Sequence, residues 1–128
     1  MEIYNEFAKW LDRLLTDNKM PESTAAFNFN LYEEAEGEKL YSVQLIAADE
    51  FDEDDEDWAC SEVWTSEEDL FFIDFSDEAD GDWKRCLDVV CGLIKEYLSN
   101  GGNAQILLDA QAVGAGFVDG EIEIISRK

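Results

Sequence analysis

The sequence predicts a single α+β domain, residues 1–128, built as a mainly antiparallel sheet of about five to six strands with two principal helices. Three observations lead there. Apolar residues switch between a 3.6-residue and a 2-residue period along the chain. The joints between periodic segments are short, which favours antiparallel neighbours. A length of 128 residues, 46% hydrophobic and 12% aromatic, is enough for one packed core but not for two. No internal repeat is visible.

Taken in order, residues 2–17, "EIYNEFAKWLDRLLTD", set Ile3, Phe7, Trp10, Leu11, Leu14 and Leu15 at helical spacing, with Glu6, Lys9, Asp12 and Arg13 opposite. Asn18 suits the helix end, and Pro21 disfavours helical geometry at Met20. "AAFNFNLYEE" then alternates, with Phe27, Phe29 and Leu31 on one face and Asn28, Asn30 and Tyr32 on the other. After the turn-like "AEGEK", residues 39–47 repeat the pattern with Tyr41, Val43 and Leu45, so the two segments read as a hairpin. "DLFFIDFS" is a third strand with Phe71, Ile73 and Phe75 inward. Residues 82–99 place Trp83, Leu87, Val90, Cys91, Ile94 and Leu98 at helical steps, with Asp80 or Asp82 to cap the start and Gly101 to supply a left-handed residue after the end. The tail from Ala104 reads as strand, strand and hairpin. Its Asp119-Gly120 pair suits a two-residue type I′ turn that sets Phe117 opposite Ile122, both facing the core.

Charge bounds the partners. Nine Lys and Arg against 32 Asp and Glu leave a net charge of -23. Such a polyanion is repelled by nucleic-acid phosphates and anionic membranes, and is drawn to basic proteins or cations. The expectation is therefore no direct nucleic-acid binding. Without a secretory leader or a membrane-length apolar run, the expected compartment is the cytoplasm. Three cysteines, Cys60, Cys86 and Cys91, fit a reducing compartment. Cys86 and Cys91 stand five apart on the predicted helix, which turns them away from each other and marks them as core filler, while Cys60 is the more exposed.

The chemistry available is narrow. The chain has no histidine, which removes the commonest general base, nucleophile partner and metal ligand. It has no GxGxxG, P-loop, GxSxG or HExxH pattern, and the glycines of "GAGFVDG" belong to a hairpin. Pairs such as Asp74 with Asp77 arise by chance among so many acids, so no catalytic residue, metal site or cofactor is expected. An EF-hand started at Asp52 fails, because its sixth position is Asp57 where glycine is needed and its twelfth is Val63 where glutamate is needed.

What remains is "DEFDEDDEDW". Asp49, Glu50, Asp52, Glu53, Asp54, Asp55, Glu56 and Asp57 crowd eight carboxylates into nine positions, with Trp58 next and Trp64 soon after. Like charges oppose close packing, so the run is solvated, bound to cations, or aimed at something basic. The tryptophans either plug the edge of the core or anchor a partner. The partner-binding reading joins all ten residues in one docking surface, where carboxylates capture Lys and Arg and an aromatic ring supplies the buried contact.

The segments "YSVQLIAADEFDEDDEDWACSEVW", "DWKRCLDVVCGLIKEYL" and "AVGAGFVDGEIEI" together resemble the small acidic immunity proteins encoded beside bacterial polymorphic toxins of contact-dependent inhibition and Rhs type. The likeness spans about residues 40–125, with "DWAC" and "GFVDG" its most specific pieces. It implies a cytoplasmic, non-catalytic protein that binds one cognate basic toxin domain, often a nuclease, and carries over no individual binding residue. Two other classes share the charge: a phosphate-mimicking inhibitor of a nucleic-acid-binding host protein, and a small acidic cation-binding module or enzyme.

Overall fold

The first helix, α1, runs Glu2–Asp17 as its apolar spacing predicts. The computed structural model describes residues 2–35, 39–75, 82–118 and 120–128. Phe7, Leu11, Leu14 and Leu15 of α1 are buried. The helix stops where the Asn18 side-chain amide donates to the Leu14 carbonyl at 3.0 Å, satisfying an acceptor that the last turn leaves open.

Strands β1, Ala26–Ala35, and β2, Leu40–Ala48, form the predicted antiparallel pair, from Ala26 opposite Ala48 to Ala35 opposite Leu40. Their alternation buries Phe27, Phe29 and Leu31 with Tyr41, Val43 and Leu45 on one face. The predicted turn between them centres on residues 36–38, outside the described residues. Beyond β2 comes a short strand that the sequence reading did not mark, β3, Glu62–Thr65. The strand it did mark follows as β4, Phe71–Asp74, with Phe71 and Ile73 buried. Both lie antiparallel on the same side of β2, β4 along Leu40–Val43 and β3 along Ile46–Ala48. Ser66 bridges the gap between them: its N–H donates to the Leu45 carbonyl at 2.8 Å and its hydroxyl accepts from the Leu45 N–H at 3.1 Å.

Helix α2, Trp83–Asn100, is capped by Asp82, whose carboxylate accepts from the Arg85 N–H at 3.0 Å. Asp80 lies outside the described residues, as does Asp77. Gly101 corrects an expectation. Its backbone is extended, with φ −70° and ψ 148°, and no left-handed residue ends the helix. Glycine is needed there because a Cβ would stand 2.5 Å from Cε2 of the Tyr97 ring.

The tail corrects another. Residues Ala104–Leu108, expected as strand, form the short helix α3. Ala104 and Leu107, three apart, are buried while Ile106 and Leu108 are exposed, a helical rather than an alternating pattern. The last two strands are β5, Ala112–Phe117, and β6, Glu123–Arg127. The six-stranded sheet has the order β3-β2-β1-β5-β6, with β4 also on β2. Four of its pairings are antiparallel. β1 with β5 is parallel, because the long crossover through α2 and α3 brings the chain back in the same direction.

Phe117 and Ile122 do not pair as expected. A register irregularity between Val113 and Gly114 leaves Ala115 opposite Glu123 as the last pair before the turn. Phe117 packs on the main core and Ile122 on the other face. The turn residue Asp119 lies outside the described residues. α1 and α2 cover one face of the sheet, where Phe7 meets the rings of Trp10, Phe29, Phe71 and Tyr97 at centroid distances of 5.4 to 6.4 Å. Among the described residues no helix is long and apolar enough to cross a membrane.

Candidate interaction site

The acidic run forms the loop between β2 and β3, and its own carboxylates fold it. Asp49 N–H donates to the Ser61 carbonyl at 3.1 Å and closes the base. Asp52 accepts the Asp54 N–H at 2.9 Å through its side chain and the Asp55 N–H at 3.2 Å through its carbonyl. Asp55 then caps a 3₁₀ helix, Glu56–Cys60, by accepting the Asp57 N–H at 3.0 Å. These are the local side-chain turns that aspartate makes readily.

Trp58 carries the loop onto the sheet. It is 2% exposed and lies on the face away from the helices, against Ala26, Ile46, Ala48 and Ala112. Three alanines on adjacent strands leave room for an indole that larger side chains would exclude. Phe51 meets the ring edge-on at 5.3 Å, and Ile122 packs alongside. Three carboxylates fasten the rim: Glu50 accepts from the Ser61 hydroxyl at 3.0 Å, Glu56 accepts the Ile122 N–H at 2.6 Å, and Glu53 pairs with Arg127.

All eight carboxylates of the run are exposed. Among the described residues, the side chains of Asp49, Asp54 and Asp57 have no hydrogen-bond or ion-pair partner. The expected charged surface is therefore present as one group on one loop. The expected aromatic anchors are not on it. Trp58 is a plug in the second small core, and Trp64, on β3, is half-buried against the main core. The reason is the same for both: hairpin-like pairing at Asp49 and Ser61 turns the segment back over the sheet, so its rings meet β1 and β2 instead of solvent.

The chemistry of the region is electrostatic. Among the described residues no three carboxylates or thiols are arranged to hold a metal ion. Cys60 is exposed, whereas burial pushes the Cys86 thiol up to about 12 and also raises Cys91, so both stay protonated at neutral pH. Along the same sheet face a polar ladder continues away from Trp58. Asn28 donates to Asn30 at 2.6 Å, and Tyr32 donates to Gln44 at 3.0 Å. Asn28 is almost fully buried, and its Oδ1 has no partner among the described residues.

Sequence reasoning missed Trp83. Its helical spacing with Leu87 and Val90 assigns it inward, but it is the first residue of α2 and is 52% exposed. No local signal in the sequence distinguishes it from its buried neighbours. Compared with protein-family models, curated proteins and solved structures, the chain matches none.

Proposed function

We propose that the chain is a non-catalytic binding protein that captures and neutralises a basic protein partner, a toxin domain acting on nucleic acid, as the resemblance to immunity proteins implies. The observation that supports this is the loop itself: eight exposed carboxylates on a segment pinned by a buried tryptophan, within a chain of charge -23. A pinned loop loses little conformational freedom on binding, so less of the attraction is spent on ordering it. A nuclease must present a cationic cleft to its substrate, and the loop's carboxylates would stand where phosphates lie. Steered association reaches on the order of 10⁸ to 10⁹ M⁻¹s⁻¹, against roughly 10⁵ to 10⁶ for neutral pairs.

The test is to replace Asp52, Asp54, Asp55 and Asp57 by Asn and to measure association with the product of the adjacent gene by surface plasmon resonance over a salt series. Asn keeps the side-chain oxygen with which Asp52 and Asp55 hold the turn and the 3₁₀ helix, so the fold is retained while the charge is removed. The variant should associate at least about tenfold more slowly at low salt and show a flatter salt dependence. Unchanged association rates would remove the loop from the binding surface.

A further inference from the structure

A second surface lies at the other end of β1. β5 accompanies β1 only as far as Phe117, which pairs with Leu31, while β1 continues to Ala35. The Val118 N–H donates to the Leu31 carbonyl at 3.3 Å, and the chain then turns back toward β6. Alternate residues of a strand direct their main-chain groups to the same neighbour. Glu33 therefore presents its N–H and carbonyl on the side where Leu31 meets β5, beyond the last β1–β5 pair, Leu31 with Phe117.

Beside this open edge is a cleft of about 600 Å³ between α2 and the β5–β6 connection. Its apolar wall is Trp83, Leu87, Phe117 and Val118, and its lining also includes Glu33 and Glu121. Trp83 is 52% and Val118 56% exposed, unusual for side chains of their size and polarity. Trp83 stands edge-on to Phe117 at 6.2 Å, which fixes the ring without covering it. Lys84 Nζ lies over the Trp83 ring, 5.6 Å from its centroid.

We propose that this cleft docks an extended segment of a partner protein, which adds main-chain hydrogen bonds at Glu33, seats an apolar side chain against Trp83 and Val118, and sets Lys or Arg beside Glu33 and Glu121. An unpaired strand edge flanked by an apolar pocket is the geometry of strand addition, in which main-chain bonds supply affinity and the pocket reads alternate side chains. Charge selects the occupant. A second copy of this chain would bring Glu33 and Glu121 against another body of charge -23, whereas a basic segment meets both carboxylates with opposite sign. Along β1 the open edge stands apart from the acidic loop, which sits over Ala26, roughly 23 Å from Glu33 at about 3.3 Å per residue. Among the described residues the loop approaches the cleft only where Glu56 accepts the Ile122 N–H beside Glu121.

The probe is the peptide acetyl-Lys-Val-Lys-Val-Lys-Val-amide, titrated into the full chain and followed by amide and indole chemical shifts. A version with its valine nitrogens methylated serves as control, and the four-Asn loop variant separates the two surfaces. Saturable shifts at Glu33, Val118 and the Trp83 indole are expected. They should persist in the loop variant and weaken about tenfold both with the methylated peptide and in Trp83→Ala. Trp83 is half exposed in the first turn of α2, and a melt checks that its replacement leaves the fold intact. Shifts confined to residues 49–57, or equal binding of the methylated peptide, would overturn the proposal. So would an indole already shielded from acrylamide in the free protein, which would mean that another part of this chain fills the cleft. Self-association through the same residues, seen by sedimentation, would assign the cleft to a second copy instead.

Discussion

Trp58 joins three alanines on three strands to the acidic loop, and its loss would be felt in the free protein. Trp58→Ala should cost about 3 to 5 kcal/mol, the range for a buried large aromatic, and lower the melting temperature by about 10 °C or more. A melt unchanged by the substitution would contradict the burial. Tyr97 makes the complementary case at high pH. Burial first, and then its hydrogen bond to the Asp12 carboxylate, push its phenol well above the ordinary tyrosine range. A folded pKa above the unfolded one means that the phenol favours folding fully below about pH 10 and loses that contribution as pH rises further. Cys86, raised to about 12, has the same sign and begins to count above about pH 9. Thermal melts should therefore fall from about pH 9 upward, and Tyr97→Phe should flatten part of that fall. A melting temperature level to pH 11 would show that neither group is protected as described.

Helix α2 owes its first turn to Asp82, the only side chain described as capping it. Asp82→Ala should cost about 1 kcal/mol in urea unfolding, while Asp82→Asn should cost a few tenths at most. Equal losses would mean that charge, not the accepted hydrogen bond, is what matters there. That helix and α1 were legible from the sequence because each carries four or more turns of uninterrupted period, as were β1 and β2, where Phe27, Phe29 and Leu31 face Tyr41, Val43 and Leu45. Short elements were not. "AQILL" is too brief for its period to be read, and "EVWT" has no fully buried residue to mark an inward face. The place of β5 was also hidden, since "AVGAGF" says nothing of which strand it joins. Gly116 is in fact required by the chain beyond it, where a Cβ would run into the Glu121 carbonyl oxygen. Of the site, the carboxylates were legible as a surface because charge resists burial whatever the fold. The rings of Trp58, Trp64 and Trp83 were not, because only the tertiary fold decides which aromatic is covered.

At the scale of the whole molecule, repulsion among 32 acids opposes compaction, and the two ion pairs described, Arg13 with Asp69 and Glu53 with Arg127, are surface pairs of small effect. Raising NaCl from about 0.02 M to 0.5 M should therefore raise the melting temperature, because screening relieves the repulsion. A drop would mean that attractive pairs dominate. The sheet order also has a meaning for biosynthesis. β1 meets β5 across a gap of roughly 86 residues along the chain, a long-range pairing of the kind that slows folding. A ribosome that has released the hairpin and the acidic loop has not yet released Ala112 or Ile122, on which Trp58 rests. The nascent chain therefore holds an open strand edge and an uncovered indole until its last two strands emerge, and for that interval it is a natural substrate for chaperones.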